Sequence, residues 1–255
     1  MISEKVLADK FNHIWASVFP MLDATFMRTF NIKNAQRIRV GKRGLVPPVH
    51  RATNVERYDL VAELAFEGAC DHFVGTVGGR ARALVRYAKM HQQVIADEVT
   101  TAESEEASKL LSVYEKFFKA VIGKAGFKFH PFIPGTSVLD NMVADICTDM
   151  MLIEVKAVSR NLSSTDIKQM LCYLIAGQAS GRYHWRQFCF FNPRRAIYYM
   201  GDSDWLISAL SGKSTLDVVT QFKCALAEVE YPILSLHSIN RSTALTAHET
   251  KSAGT

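Results

Sequence analysis

Hydrophobic residues recur every three or four positions over several segments of the chain, which is the spacing that predicts an amphipathic helix. These segments are residues 3–31, 56–69, 104–123 and 165–179. The last of them follows NLSSTD, whose serine, threonine and aspartate residues are favoured at helix N-termini. We therefore expect one or two helices at the start of the chain and further helices on both sides of its middle.

Between these helices, short apolar runs rich in β-branched and aromatic residues predict strands. Three runs lie within residues 125–158 and read FKFHPFI, VADIC and MLIEVKAV. Two more, QFCFFNP and AIYYM, predict further strands or a hairpin that turns at Pro193-Arg194-Arg195. The predicted strands therefore lie in the second half of the chain.

Composition narrows the class of protein. The chain has 255 residues, of which 48% are hydrophobic and 22% charged, as in ordinary soluble globular proteins. No apolar run approaches the roughly 20 residues that span a bilayer, and the charged N-terminus lacks a secretory signal. The five cysteines are widely spaced and odd in number, which favours reduced thiols over disulfides or a zinc site. We expect a cytoplasmic protein without membrane contact.

Positive charge is concentrated in residues 37–57, within a net charge of +5 for the whole chain. The two glycines and Pro47-Pro48 of this segment predict a loop or hairpin. It is either a solvated surface loop or an element that contacts phosphate groups. On the second interpretation, the candidate nucleic-acid contacts are Arg39, Lys42, Arg43 and Arg51, with Arg194 as a further candidate near the predicted sheet.

An apolar strand that carries two charges is the most unusual local pattern in the chain. MLIEVKAV, residues 151–158, predicts a strand buried on both faces, yet it contains Glu154 and Lys156. Burying charges costs several kcal/mol unless they are paired or bind a metal. Strand alternation places the two side chains on one face, and Asp145 on the preceding strand can come near Glu154. Two carboxylates suit Mg²⁺ or Mn²⁺, and Lys156 can orient a water or stabilise charge on a phosphorane.

Polar residues on the flanking helices extend this pattern. Gln169 and Tyr173 are four residues apart, so they share a helix face and could hydrogen-bond a phosphate or a base. Taken alone, they are equally consistent with an ordinary half-exposed helix surface. Upstream, Glu115 falls on the stripe of Leu111 and Phe118. It is either an edge residue that reaches water or a carboxylate supplied to a metal site.

Together these residues resemble the PD-(D/E)xK nuclease superfamily, especially its RecB-like branch, over roughly residues 105–200. That pattern has a helix acid, an Asp on a strand, Glu-x-Lys on the next strand and a Gln-x-x-x-Tyr helix. The matching residues here are Glu115, Asp145, Glu154 with Lys156, and Gln169 with Tyr173. The chain departs from the family in two respects: Ala144 rather than a proline precedes Asp145, as is common in the family, and there is no cysteine cluster for the iron–sulfur site that some RecB-like relatives carry. Glu105 and Glu106 are alternatives to Glu115 as the helix acid.

The resemblance implies an α/β fold with a restriction-endonuclease-like core, in which helices flank a mixed sheet of about four strands. It also implies Mg²⁺-dependent cleavage of DNA or, less often, RNA. The implied metal ligands are Asp145, Glu154 and the backbone carbonyl of Val155, with Glu115 as a further ligand. Lys156 would serve catalysis, assisted by Gln169 and Tyr173.

This interpretation divides the chain into a helical N-terminal region of residues 1–100, a nuclease-like domain of residues 101–235 and a flexible tail of residues 236–255. We expect a Mg²⁺- or Mn²⁺-dependent deoxyribonuclease that works as a homo-oligomer or with partner subunits. By analogy, it would suit a bacterial defence or DNA-processing complex. Two alternatives stay open: an RNA nuclease with the same site, and a catalytically silent module that binds nucleic acid or scaffolds a complex.

Overall fold

The structure, a computed structural model, describes residues 1–41, 44–92, 98–136 and 138–228. The predicted tail of residues 236–255 lies outside these residues. Within them, we find no helix with the length and apolar character that crossing a bilayer requires.

The N-terminal part is mainly helical, as expected, but it also contains short strands. Its elements are α1 (Glu4–Lys10), α2 (Asn12–Val18), α3 (Ala24–Lys33), β1 (Ala35–Arg37), β2 (Arg39–Val40), β3 (Gly44–Leu45), α4 (Tyr58–Val74) and α5 (Gly79–His91). β2 pairs with β3 in an antiparallel arrangement within the basic segment of residues 37–57, where we predicted a loop or hairpin.

The rest of the described chain alternates strands and helices. Its elements are α6 (Thr101–Phe117) with a π-helical turn (Phe118–Ile122), β4 (Phe127–Phe129), β5 (Phe132–Ile133), β6 (Met142–Val143), β7 (Ile146–Thr148), β8 (Met151–Val155), α7 (Ser164–Ala179), β9 (Gln187–Asn192), β10 (Ile197–Asp202), α8 (Ser203–Ser211) and α9 (215–228). The predicted start of α7 is confirmed, because the Ser163 side chain accepts a hydrogen bond from the Asp166 N–H.

A mixed sheet of six strands organises the fold, in the order β1-β10-β9-β8-β7-β4. β8 and β9 are parallel and are connected through α7, whereas the other neighbouring pairs are antiparallel. The expectation of about four strands is therefore corrected. β10 extends the sheet through its hairpin with β9, and β1 adds an edge strand from the N-terminal region because Ala35 pairs with Tyr199.

Apolar side chains are buried on both faces of the sheet because successive strand residues point to opposite sides. Leu152 and Phe190 join the core formed with α1, α2, α3, α7 and α8, whereas Ile153 and Phe191 join the core formed with α4 and α6. Residues from the first hundred positions contribute to both cores, so this region packs around the sheet.

Candidate metal and phosphate site

The predicted strand charges meet at one cavity of about 370 Å³ beside the ends of β7 and β8. The register of the two strands places Ile146 opposite Ile153, which brings the preceding Asp145 opposite Glu154. Both side chains lie on the α7 side of the sheet, as strand alternation requires. The lining of the cavity also includes Val155 and Lys156, so these four predicted residues converge.

A backbone hydrogen bond fixes the first carboxylate. The N–H of Val155 donates to Oδ2 of Asp145 at 2.7 Å, across the hairpin formed by β7 and β8. Burial raises the pKa of Asp145, although this hydrogen bond and the nearby Lys156 oppose the rise. The second carboxylate, Glu154, is only 4% exposed, and its Oε2 is buried without a hydrogen-bond partner among the described residues.

Burial beside a second acid favours the protonated form of Glu154. Burial and, to a lesser extent, the nearby Asp145 raise its pKa to about 8, although Lys156 opposes the rise. A carboxylate that is buried, unsatisfied at one oxygen and crowded by a second acid is poorly stabilised when ionised. A divalent cation would relieve this crowding, because hard oxygen ligands are what Mg²⁺ and Mn²⁺ prefer.

Lys156 connects the carboxylates to helix α7. Its Nζ lies 3.0 Å from Oε1 of Glu154 and donates to Oε1 of Gln169 at 2.7 Å, while Oδ1 of Asp166 is 3.7 Å away. Burial alone would lower the pKa of Lys156, but the surrounding carboxylates raise it above the usual value. The ammonium group is therefore charged and held in one position.

The two predicted residues of α7 take part in the same network. The amide nitrogen of Gln169 donates to the hydroxyl of Tyr173 at 2.8 Å, and that hydroxyl lies 3.4 Å from Oε1 of Glu4 in α1. Both residues are buried. The interpretation of this pair as an ordinary half-exposed helix surface is therefore wrong.

Helix α4 supplies a third carboxylate that the sequence analysis missed. Glu63 lines the cavity, and burial raises its pKa. Its Oε2 lies 3.6 Å from Nη1 of Arg86 in α5 and has no hydrogen-bond partner in the described part of the chain. The detectable signal was a pair of acids four residues apart, Glu63 and Glu67, among the apolar residues in the middle of the helix.

Glu115 is not part of this group, and its expected position is corrected. Its side chain is 45% exposed, and its Oε1 lies 3.6 Å from Nε2 of His72, outside the cavity. α6 buries Leu110, Tyr114 and Phe117. Of the stripe that we inferred, Phe118 is buried in the π-helical turn, whereas Leu111 is only partly buried. Glu115 follows Tyr114 and therefore points away from the buried face.

Of the predicted contacts in the basic segment, Arg39 and Arg51 lie apart from the carboxylates. Arg39 is exposed and lines a separate groove with Arg37 and Tyr198, at the β1–β10 edge of the sheet. The guanidinium of Arg51 lies 4.0 Å from the ring centroid of Tyr58. Neither Arg39 nor Arg51 lines the cavity. The predictions for Lys42 and Arg43 fall outside the described residues.

Arg194 is a structural residue rather than an exposed nucleic-acid contact. It is only 3% exposed, and its Nη1 donates to Oε1 of Glu106 in α6 at 2.7 Å. Glu106 is buried as well, and its other oxygen accepts a hydrogen bond from the backbone N–H of Ala52. The prediction for Arg194 is therefore corrected, because a guanidinium enclosed by the core cannot reach a phosphate.

A second cluster, Glu67, Cys70 and His130, brings three possible metal-ligand atoms within 4.8 Å of one another. However, Glu67 lies 2.6 Å from Nε of Arg82 and 3.2 Å from Nε of Arg86. Two guanidinium groups beside the same carboxylate oppose the binding of another cation. We interpret this cluster as an ion-pair network that holds α4 against α5.

Comparisons of this chain with protein-family models, with curated proteins and with solved structures found no match. The functional interpretation therefore depends on the geometry of the cavity.

Proposed function

We propose that this protein is a metal-dependent nuclease that hydrolyses phosphodiester bonds of DNA and uses Mg²⁺ or Mn²⁺. The observation that supports this proposal best is the convergence of Asp145 and Glu154 with Lys156 in one cavity. Phosphodiester hydrolysis needs stabilisation of phosphoryl charge, an oriented water and little covalent chemistry by the protein.

The carboxylates of Asp145, Glu154 and Glu63, with the backbone carbonyl of Val155, would hold the metal ion. The buried and unpartnered oxygens of Glu63 and Glu154 fit this role, because they gain a ligand that they otherwise lack. A bound ion would polarise a phosphoryl oxygen and lower the pKa of a water molecule.

The positive charge of Lys156 limits which catalytic role it can take. Because neighbouring carboxylates raise its pKa, the ammonium group is a hydrogen-bond donor rather than a base. Glu154 and Gln169 hold Nζ from two sides, so its remaining proton can be donated to the attacking water or to a phosphoryl oxygen. Tyr173 fixes the amide of Gln169 and thereby keeps its oxygen directed to Lys156.

The arrangement of the elements also supports the proposal. Strands β4, β7, β8 and β9 are consecutive in the sheet, have mixed orientation and are flanked by α6 and α7. On this proposal, these four strands would correspond to the four-stranded core that the PD-(D/E)xK resemblance implies. β10 and β1 would then be additions to a restriction-endonuclease-like core.

A cleavage assay tests the proposal. Purified protein is incubated with supercoiled plasmid, single-stranded DNA and RNA in the presence of Mg²⁺, Mn²⁺ or EDTA. We expect divalent-ion-dependent cleavage of DNA that falls at least about a hundredfold in Glu154→Gln and in Lys156→Met. Asp149→Asn is the control, because Asp149 lies in the exposed turn between β7 and β8. Cleavage that survives both site substitutions contradicts the site. Cleavage of RNA alone favours the RNA nuclease, and inactivity on every substrate favours the silent module.

A further inference from the structure

The cavity contains equal numbers of acidic and basic residues, but the bases are not equally engaged. Its lining includes the acids Glu4, Glu63, Asp145 and Glu154 and the bases Lys5, Arg86, Lys89 and Lys156. Lys156 is held by Glu154 and Gln169, and Arg86 lies between Glu63 and Glu67. These two cations are already compensated by buried or half-buried carboxylates.

Lys5 and Lys89 differ from the other two bases. Both are exposed, and neither ammonium group forms an ion pair with a residue in the described parts of the chain. They come from two different helices, Lys5 from α1 and Lys89 from α5. Lys5 lies close enough to the carboxylates to lower the pKa values of Glu63 and Glu154, against the larger effect of burial.

A nucleic-acid strand that enters this cavity needs such cations. The carboxylates around the reacting phosphate repel the phosphates on either side of it, even when the metal ion compensates the central charge. Lysine carries a mobile point charge on a flexible stem, which suits contact with a phosphate of variable position. Exposed lysines at the rim therefore supply what the carboxylates inside the cavity cannot.

We infer that Lys5 and Lys89 bind the backbone phosphates that flank the reacting one, so that the strand crosses the cavity between α1 and α5. The inference rests on the proposed function, because it takes the substrate to be a nucleic acid. It also assigns substrate binding to this rim rather than to the basic segment of residues 37–57, whose Arg37 and Arg39 line a groove at the β1–β10 edge of the sheet.

A purely structural role is the main alternative for one of the two residues. Lys89 lies in the last turn of α5, where a positive charge stabilises the helix dipole. Such a role would change the melting temperature of the protein without changing how its DNA affinity depends on salt. Lys5 lies in the first turn of α1, where no such stabilisation is expected.

The test measures DNA binding separately from cleavage. The affinity of a short fluorescein-labelled oligodeoxynucleotide duplex is followed by fluorescence anisotropy over a series of salt concentrations, in EDTA and in Ca²⁺. Log affinity falls with log salt, and each phosphate contact adds about one to the steepness of this fall. The double variant Lys5→Gln/Lys89→Gln should therefore make the slope shallower by about two. The matched control is Lys109→Gln/Lys124→Gln, which removes two exposed charges outside the cavity.

Three results would overturn the inference: no binding by the wild type in either condition, an unchanged slope in the rim variant, or the same loss in the control. If an Arg39→Gln variant makes the slope shallower and the rim variant does not, DNA binding is assigned to the basic segment instead.

The same experiments distinguish failure of the proposed nuclease function from failure of this inference. A protein that binds DNA through Lys5 and Lys89 but never cleaves it supports the inference and not the nuclease function. Cleavage with an unchanged slope in the rim variant supports the nuclease function and not the inference.

Discussion

The backbone N–H of Val155 donates a 2.7 Å hydrogen bond to Oδ2 of Asp145, and this bond fixes the first carboxylate beside the second. It uses one of the two carboxylate oxygens of Asp145 and joins the segments that carry Asp145 and Glu154. The positions of both acids are therefore determined by the β7–β8 hairpin itself, before any ligand binds. Preorganisation of this kind lowers the cost of assembling a metal site.

Replacing Asp145 with asparagine separates its structural role from its charge. Asparagine retains an oxygen that can accept from the Val155 N–H, whereas its amide cannot compensate a divalent cation. We expect Asp145→Asn to fold normally but to bind Mn²⁺ at least about tenfold more weakly, as measured by isothermal titration calorimetry. Asp149→Asn, on the exposed turn of the same hairpin, should bind Mn²⁺ like the wild type. Equal affinities in the two variants would contradict the assignment.

The raised pKa of Glu154 makes stability depend on pH in a defined direction. Its pKa in the folded protein is about 8, above the ordinary value of 4.5 in an unfolded chain. The folded state therefore holds a proton that the unfolded state releases between these values. The resulting stabilisation is complete below about pH 4.5 and is lost as the pH rises through about 8.

Glu154→Gln permanently mimics the protonated side chain, so it should be the more stable protein in alkaline EDTA. We expect its melting temperature to exceed that of the wild type by about 3 °C or more near pH 9, with the difference disappearing near pH 5. Scanning calorimetry across this range measures the effect. Glu105→Gln, an exposed change on α6, is the control. A difference that is independent of pH would show that the effect comes from packing.

The identity of the helix carboxylate can be tested with two matched substitutions. Glu63 lines the cavity on α4, whereas Glu115 is exposed on α6. We expect Glu63→Gln to weaken Mn²⁺ binding by about tenfold or more, with a parallel loss of any Mg²⁺-dependent cleavage. Glu115→Gln should leave both unchanged. If Glu115→Gln weakens Mn²⁺ binding and Glu63→Gln does not, Glu115 is the metal ligand, as inferred from the sequence.

The buried ion pair of Arg194 and Glu106 should matter for stability and not for DNA binding. Removing one partner leaves an uncompensated buried charge, so we expect Arg194→Met to lower the free energy of unfolding by about 3–5 kcal/mol. Urea denaturation measures this change. Arg195→Met is the control, because the Arg195 side chain makes exposed hydrogen bonds to Arg160 and Asn161.

The second partner provides a further check on the same pair. If the loss comes from the unpaired Glu106 carboxylate, the double variant Arg194→Met/Glu106→Leu should recover most of the stability, because an apolar pair needs no compensation. DNA affinity of the folded protein should be the same in all these variants. A selective loss of DNA binding in Arg194→Met would contradict the structural role.

Short-range patterns made part of the site predictable. Glu154 and Lys156 share a face because strand side chains alternate, and Gln169 and Tyr173 share one because helix side chains repeat every four residues. A short hairpin then brings Asp145 opposite Glu154, since the intervening turn is only a few residues long. Each of these relationships involves neighbours in the chain, and the structure confirms that they meet.

Glu115 and Glu63 show where such reasoning fails. The phase of α6 depends on which side packs against the sheet, and a shift of one residue moved Glu115 from the buried face to the surface. Glu63 reaches the cavity only because α4 packs beside the sheet, far from β8 in the sequence. The sequence Pro193-Arg194-Arg195 is typical of a basic surface turn, but Arg194 is buried because it pairs with Glu106 on α6.

The sequence by itself determined the local elements, the faces of β8 and α7, and the pairing of two carboxylates with a lysine. These follow from the fixed periods of strands and helices, which act over a few residues. Only the tertiary structure decided that β1 extends the sheet, that Glu63 rather than Glu115 lines the cavity, and that Lys5 and Lys89 meet there. Those arrangements arise from burying apolar surface on both faces of the sheet, and this depends on the whole chain at once.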